Sequence, residues 1–340
     1  MTDTSAPASD RLLSGPEPTV PPPVLAIVGP TATGKSDLAV ALARRLGGEV
    51  VNADSMQLYR GMDIGTAKLP ATERGGIAHH LLDVWPVTRS AAVAEYQTMA
   101  RRTIAELHDR GVLPVLVGGS GLYLRGTLDR LDFPGESPEL RLRLRAELDE
   151  VGPGPLHERL TRLDPEAAAN ILPSNGRRIV RALEVIELTG RPFVASMPAF
   201  ESVYDTVQVG LDRADLDERV RRRVELMMAG GFLDEVRRLL PDGLAGSPTA
   251  AKALGYQQLL AVLDDRGDLV GDLDEAVEAT VRGTLRFVRR QRSWFRRDPR
   301  IQWLDAASPD LGERALVAVR PTLEANPWAE ATGVRARAEA

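Results

Sequence analysis

The stretch that decides the fold is Gly29–Ser36, "GPTATGKS", which follows the apolar run Val24–Val28. It fits the pattern GxxxxGK[ST], in which backbone N–H groups and the start of a helix surround a phosphate. The residues after it predict an amphipathic helix, because Leu38, Leu42 and Leu46 recur at helical spacing. Strand, glycine-rich loop and helix in this order predict a P-loop NTPase-like core.

The loop pattern assigns roles to its own residues. Lys35 is expected to contact terminal phosphate oxygens, and Ser36 is the predicted ligand of a Mg²⁺ ion. Taken alone, such a loop most often holds ATP, so the pattern leaves open which phosphates are bound. The predicted phosphate-binding residues are Gly29, Pro30, Thr31, Ala32, Thr33, Gly34, Lys35 and Ser36.

Further βα units follow the loop. A short strand is predicted to end at Asp54, and a helix within 94–111 leads into the strand of "VLPVLVGGSG". The β-type stretches Thr206–Asp212 and Ile301–Asp305 extend the sheet. Alternating helices and short apolar strands predict an α/β fold, a parallel sheet with helices on both faces. Ligands of such sheets bind at the carboxyl ends of the strands.

The region 133–198 differs, because amphipathic helices follow one another there without a strand. We predict an all-helical insertion domain over 133–198 and a catalytic core formed by 23–132 and 199–321. Residues 1–22 are rich in Pro, Ser and acidic residues and are predicted to be a disordered leader. The Ala/Glu/Arg-rich residues 322–340 are predicted to be a disordered tail.

Composition restricts the function classes. The chain has 340 residues, a net charge of −5 and no cysteine, which excludes thiolate zinc sites and cysteine nucleophiles. It has no secretory signal pattern and no apolar run near the ~18 residues that span a bilayer. We therefore expect a cytoplasmic protein without a membrane partner. A nucleic-acid partner requires local basic patches, and Glu218–Met227 and Arg282–Arg300 are the candidates.

Three features suggest chemistry beside the loop. Asp54, at the end of a parallel strand, is placed to act as a general base or a metal ligand, although an Asp before Ser is also a common turn or cap residue. Arg219 and Arg223 share a helix face that is either solvated or able to reach a diphosphate. For the arginine-dense Arg282–Arg300 segment we favour contact with a phosphate backbone over a solvated face.

Several motifs occur together in one order. They are "GPTATGKS", "ADSMQLYRGMDIGTAK", "HHLLD", "VGGSGLY", "RRIVRALEV", "RRRVELMMAGGFLDEV", "ALGYQQ" and "RQRSWFRRD". In this combination the sequence resembles the tRNA dimethylallyltransferases, also called tRNA isopentenyltransferases, over about residues 24–305. The resemblance implies transfer of a dimethylallyl group from dimethylallyl diphosphate to N6 of adenosine 37, in tRNAs that read codons starting with U. The loop would then hold the diphosphate leaving group, with Mg²⁺.

The same resemblance implies roles for individual residues. Asp54 is the implied general base, Thr31 lines the reaction centre and Arg223 contacts the diphosphate. The helical insertion is expected to grip the anticodon stem-loop of tRNA. The absence of cysteine excludes the zinc finger of eukaryotic members and indicates a bacterial-type enzyme, which we expect to be a monomer. The implied tRNA-contacting residues are Asp54, Ser55, Met56, Gln57, Ser120, Arg141, Arg177, Arg178, Arg181, Lys252, Gly255, Tyr256 and Gln257.

Three other functions fit parts of the sequence. A small-molecule P-loop kinase would use the loop for ATP and would consume nucleotide. A prenyltransferase for free adenine nucleotides would need neither the helical insertion nor the Arg282–Arg300 segment. An RNA-binding GTPase-like protein would need a guanine-reading N/TKxD segment, which the chain lacks.

Overall fold

A computed structural model describes residues 20–193 and 200–339 and contains a central six-stranded sheet. All neighbouring strands are parallel, in the order β3-β2-β4-β1-β5-β6. The predicted α/β fold with a P-loop-like parallel sheet is confirmed. The strands are β1 Pro23–Val28, β2 Gly48–Asn52, β3 His79–His80, β4 Leu113–Gly118, β5 Asp205–Asp212 and β6 Ile301–Asp305.

Helices cover both faces of the sheet. Val24, Ala26 and Val28 of β1 belong to one hydrophobic cluster, and the alternating Leu25 and Ile27 belong to another. Since both faces are buried, the strand is apolar throughout and not alternating. The helices of the core are α1 Lys35–Leu46, α2 Val93–Asp109, α3 Gly121–Leu128, α8 Leu216–Ala229, α9 Phe232–Leu239, α10 Tyr256–Leu260, α11 Leu273–Phe295 and α12 Leu311–Ala325.

Two glycines allow a close approach of chain segments at the carboxyl edge of the sheet. Gly29 has a φ of 134°, and a Cβ atom there would lie 2.3 Å from the carbonyl oxygen of Leu211. A Cβ atom at Gly118 would lie 2.3 Å from the carbonyl oxygen of Ala53. Gly29, directly after β1, therefore lets the phosphate loop approach β5, and Gly118, the last residue of β4, lets this strand approach the turn after β2.

The predicted strand-free region forms a helical unit with its own hydrophobic cluster, which includes Leu144, Leu160 and Leu183. Its helices are α4 Pro138–Val151, α5 Pro153–Leu163, α6 Pro165–Ala169 and α7 Gly176–Thr189. The segment that leads from the core into this unit runs beside the segment that leads back into the core. Arg130 donates its N–H to Glu201 O at 2.8 Å, and Val203 donates to Leu128 O at 2.8 Å. The exact domain limits, including residue 198, which lies outside the described residues, stay predictions.

The chain from 322 to 339 is mostly helical and packed, so the prediction of a disordered tail is wrong for these residues. The helices α13 Pro327–Ala331 and α14 Val334–Glu339 follow α12. Val334 and Ala338 are buried one helical turn apart, and Arg337 Nε donates to Leu46 O at 2.8 Å. An Ala/Glu/Arg-rich composition resembles that of disordered segments, but it also has high helix propensity, and few apolar contacts are needed to dock such a helix.

Two further sequence expectations differ in detail or lie outside the structure. Strand β2 ends at Asn52 instead of Asp54, because the chain turns there through hydrogen bonds to the Asn52 side chain. Of the predicted leader 1–22, residues 1–19 lie outside the described residues. Among the helices of the described ranges, none combines the length and apolar character that crossing a membrane requires.

Candidate active site

Two cavities meet at the carboxyl edge of the sheet. One has a volume of about 410 Å³ and is lined by the phosphate loop, the ends of β2 and β4, and α8. The other, of about 420 Å³, lies between α8, α10 and α11. Thr31, Asp54, Thr66 and Arg223 line both. The cavities therefore form two arms of one channel, and Asp54 lies where the arms join.

The loop after β1 has the geometry of an anion site. Helix α1 begins at Lys35 after Gly34, a residue with a φ of 92° and no side-chain cap. The N–H groups of its first turn are therefore not used by a capping side chain, and the positive end of the helix dipole points toward the cavity. Thr33 is buried and donates its hydroxyl to Pro30 O at 2.9 Å, which fixes the turn.

Two cations converge on the loop. Lys35 Nζ donates to Pro30 O at 2.5 Å, and Arg223 Nη1 donates to Thr31 Oγ1 at 3.0 Å. Burial lowers the pKa of Lys35 to about 7; the positive charge of Arg223 adds to this effect and the carboxylate of Asp54 opposes it. Burial also lowers the pKa of Arg223. Both cations are poorly solvated, so an anion that enters the channel relieves their mutual repulsion.

The backbone of Asp54 is held by the buried side-chain amide of Asn52. Asn52 Oδ1 accepts the N–H of Asp54 at 3.0 Å, and Asn52 Nδ2 donates to Asp54 O at 3.0 Å. Asp54 Oδ1 in turn accepts the N–H of Met56 at 2.9 Å. Within the described part of the chain, the other carboxylate oxygen, Oδ2, has no hydrogen-bond partner. It is therefore available to a ligand group in the channel.

A buried carboxylate supports the wall of the second arm, because Gly65 and Tyr256, which line this arm, donate to it. Glu235 of α9 is 1% exposed and accepts the N–H groups of Asp63, Ile64 and Gly65 at 2.7–3.0 Å. It also accepts the hydroxyl proton of Tyr256 at 2.5 Å. Four donors thus meet the two oxygens of one carboxylate, two at each oxygen.

We expect Glu235→Gln to lower the free energy of unfolding by about 3 kcal/mol, because the amide group points donor hydrogens at backbone N–H groups. The neighbouring Asp234 is a matched control, since its side chain is 67% exposed and pairs with Arg237 at the surface. Asp234→Asn should change the stability by less than about 0.5 kcal/mol. Urea denaturation measures both, and equal small changes would contradict the role of Glu235.

The predicted site residues separate into three groups. Thr31, Ala32, Gly34, Lys35, Ser36, Asp54, Gln57 and Arg223 line the arm beside the phosphate loop. The loop residues Gly29, Pro30 and Thr33 are buried. Gly255, with a φ of 86°, precedes α10. The arm between α8, α10 and α11 is lined by Ser55, Met56, Ser120, Lys252, Tyr256 and Gln257, together with the shared Thr31, Asp54 and Arg223.

The predicted tRNA contacts of the helical unit lie apart from the channel. Arg141 and Arg181 both bind the buried carboxylate of Glu184, at 2.9 Å and 3.0 Å. Arg141 of α4 therefore joins this helix to α7. Arg181 lies in α7 with Glu184, and it connects α7 to the segment before α4 by donating to Pro134 O at 2.8 Å. Arg177 and Arg178 are exposed at the start of α7. A role of these four arginines in binding tRNA stays a prediction.

The arginines of Arg282–Arg300 also divide into two sets. Arg292 forms an ion pair with Asp212 at 2.7 Å, and Arg300 binds Asp129 and Asp298 at 2.7 Å and 2.6 Å. These side chains stabilise the core. Arg290, by contrast, is exposed and lines the channel arm that α11 borders. The predicted phosphate contact therefore applies only to the arginines that face solvent.

A Mg²⁺ ion beside the phosphate loop would need oxygen atoms as ligands. In residues 20–193 and 200–339, no group of three or more His, Asp or Glu side chains is arranged to bind a metal. Mg²⁺ is commonly held by one or two protein oxygens, with phosphates and waters as the other ligands. Ser36 and Asp54 line the same arm and offer such oxygens. The residues fit a Mg²⁺ ion that arrives with a phosphate-bearing ligand.

Some residues of the site were not predicted from the sequence. Asn52 and Glu235 act through hydrogen bonds to backbone groups, and Gln291 of α11 contacts the loop from 260 positions away. Glu235 lies in an amphipathic helix that resembles an ordinary surface helix. A polar residue at a buried helical position is the only available sequence signal, and it does not identify the partner.

Comparison with known proteins gives one consistent family. The model of the family described as IPP transferase matches residues 57–298. A tRNA dimethylallyltransferase of Parafrankia sp. (strain EAN1pec) is 63% identical over 298 residues, which is 88% of this chain and 92% of the relative. One from Streptomyces avermitilis is 63% identical over 294 residues, which is 86% of this chain and 93% of the relative.

Solved structures agree with the sequence relatives. A full-length tRNA isopentenylpyrophosphate transferase from Bacillus halodurans is 38% identical, with a TM-score of 0.64 over 91% of this chain and 97% of that one. A eukaryotic dimethylallyltransferase acting on tRNA is 25% identical, with a TM-score of 0.77 over 90% of this chain and 80% of that one. With its phosphate loop, its channel and these relatives, the chain belongs to the IPP transferase family, as a bacterial-type member of the tRNA dimethylallyltransferases.

Proposed function

We propose that this protein transfers the dimethylallyl group of dimethylallyl diphosphate to N6 of adenosine 37 in tRNAs that read codons starting with U, and releases diphosphate. One observation carries the proposal. A phosphate loop and a second arm open into the same channel, and Asp54 stands at their junction. A diphosphate ester in the first arm and a nucleobase in the second would meet at this carboxylate.

The transfer requires one bond to break and one to form. The C1–O bond of the donor breaks with its electron pair on the diphosphate oxygen, and the N6–C1 bond forms on the adenine. Asp54 accepts the proton that N6 loses, which compensates for the weak nucleophilicity of an amine conjugated with the ring. The hydrogen bond from the N–H of Met56 to Oδ1 supports Oδ2 as the atom that would take this proton.

The leaving group gains negative charge as the C1–O bond breaks. Lys35 and Arg223 stabilise this charge, together with the N–H groups at the start of α1. Their present partners are the weak acceptors Pro30 O and Thr31 Oγ1, which a diphosphate would replace. When bound, Mg²⁺ would supply further charge neutralisation on the diphosphate, with Ser36 as its candidate protein ligand. On this proposal the loop releases its phosphates instead of transferring one.

The target base has to leave its stack to reach Asp54, at a cost of about a few kcal/mol. Contacts to the anticodon stem-loop would offset this cost, and the exposed arginines of α7 and α11 are candidates for them. Ser55, Met56, Ser120 and Tyr256 line the arm through which the base would enter. We propose that the enzyme works as a monomer in the cytoplasm, where tRNA is found.

The test is mass spectrometry of tRNA nucleosides after incubation with the enzyme and dimethylallyl diphosphate. Prenylated adenosine that requires all three components is the expected result. Free adenine nucleotides in place of tRNA should stay unmodified, and ATP should not be consumed. Prenylation of free nucleotides at a comparable rate, or phosphoryl transfer from ATP, would support the alternative functions instead.

The affinity for dimethylallyl diphosphate should fall as the pH rises. The pKa of Lys35 is about 7 in the ligand-free protein, and a bound diphosphate favours the charged ammonium, so binding takes up a proton above this pH. Between about pH 6 and about pH 8 the affinity should fall by about tenfold. Calorimetry without tRNA, in buffers of different ionisation enthalpy, measures both effects. Lys35→Met should bind weakly and lack the proton uptake; an unchanged uptake in this variant would contradict the assignment.

A further inference from the structure

A buried amide joins the two sides of the channel. Gln291 lies in α11 and is 5% exposed. Its Oε1 accepts the N–H of Thr31 at 3.1 Å, and its Nε2 donates to Gly119 O at 3.0 Å. Thr31 belongs to the loop after β1, and Gly119 directly follows β4, the neighbouring strand. One side chain thus connects the phosphate loop to the turn that carries Ser120.

Only an amide in this orientation can serve both partners. A carboxylate would place an acceptor against the carbonyl of Gly119, and an apolar side chain would leave both backbone groups without a partner. The fit is also close in space, because a Cβ atom at Gly119 would lie 2.4 Å from Gln291 Nε2. Position 291 therefore specifies glutamine by its two hydrogen bonds, and the absence of a side chain at Gly119 leaves room for the Gln291 amide.

The two contacted residues lie next to the reacting groups of the proposed function. The Oγ1 atom of Thr31 accepts from Arg223, so Thr31 is held by its backbone on one side and its side chain on the other. Ser120 Oγ lies 3.4 Å from the N–H of Ser55, the residue after Asp54. The amide of Gln291 consequently spans from the leaving-group side of the channel to the side of the general base.

We propose that Gln291 is a positioning residue that sets the distance between the bound diphosphate and the acceptor amine. This inference rests on the proposed transfer reaction. Misplacement of reacting atoms by about 1 Å lowers rates by up to about 100-fold without an equal loss of binding. Gln291→Met should therefore lower kcat by about 10- to 100-fold, with the KM for each substrate within about threefold of wild type.

The experiment compares wild type, Gln291→Met, Gln291→Glu and the control Gln302→Met in the tRNA prenylation assay, with rates normalised to folded protein by thermal melting and circular dichroism. Gln302 is exposed on β6, so its variant should keep wild-type kcat. Low kcat with preserved KM in both Gln291 variants supports positioning. An unchanged kcat per folded molecule, or a loss confined to KM, overturns it. If wild type itself fails to prenylate tRNA, the proposed function fails instead.

Discussion

Asp54→Asn should lower kcat for tRNA prenylation by about 100- to 10,000-fold, which is the range for loss of a general base. Asparagine keeps the shape of the side chain and can still accept the N–H of Met56 through its oxygen. It cannot take the proton that N6 loses. Because the turn made by Asn52 is retained, tRNA should bind with an affinity within about threefold of wild type.

The control for this variant is Asp109→Asn. Asp109 is exposed at the end of α2, just before β4 begins, and therefore lies at the edge of the sheet opposite the channel. Single-turnover prenylation with radiolabelled donor and filter binding of tRNA separate chemistry from affinity. Near-normal single-turnover rates for Asp54→Asn would exclude Asp54 as the base. A loss of tRNA affinity equal to the loss of rate would make it a binding residue.

Arg223→Met should lower kcat by about 100- to 1,000-fold, the typical effect of removing one donor from a charge-stabilising site. The guanidinium group lies within reach of Thr31 Oγ1, and its pKa is lowered by burial, so it is held poorly solvated before substrate arrives. Such a group interacts more strongly with the growing charge of the diphosphate than with a neutral partner. The loss should therefore appear in kcat more than in the affinity for tRNA.

The same helix supplies a matched control. Arg221 is 52% exposed and pairs with Glu278 at the surface, on a different face of α8 from Arg223. Arg221→Met should keep activity within about twofold, because exposed ion pairs contribute little. Steady-state kinetics with varied dimethylallyl diphosphate measures both variants. Equal losses in the two would show that the charge of the helix matters, and not the position of Arg223.

The sequence predicts those parts of the site that are local in the chain. Gly29–Ser36 forms one turn between a strand and a helix, so its pattern is sufficient to locate the anion site. Asp54 follows a strand end, and parallel strands bring their carboxyl ends to one edge. Gln291 and Glu235 are different, since their partners are backbone groups far away in sequence. Backbone groups carry no sequence signal, so only the folded chain shows these contacts.

The wrong prediction for the tail has a related cause. Alanine, glutamate and arginine are good helix formers and are also common in disordered segments, so composition alone does not separate the two states. The difference depends on a few contacts with the core. Asn326 Nδ2 donates to Asp205 Oδ2 at 2.7 Å, and Val334 is fully buried. Neither contact is visible without knowing what the tail packs against.

The two antiparallel segments that connect the helical unit to the core have a consequence for how the length of this unit can vary. Leu128–Arg130 and Glu201–Val203 run antiparallel there, joined by two backbone hydrogen bonds and the bridge between Asp129 and Ser202. Because the ends meet, the α4–α7 unit resembles an elaborated hairpin loop whose length does not affect the register of the sheet. Variants in which this unit is lengthened or shortened should therefore keep the strand register of the core, while losing the tRNA contacts that we propose for α7.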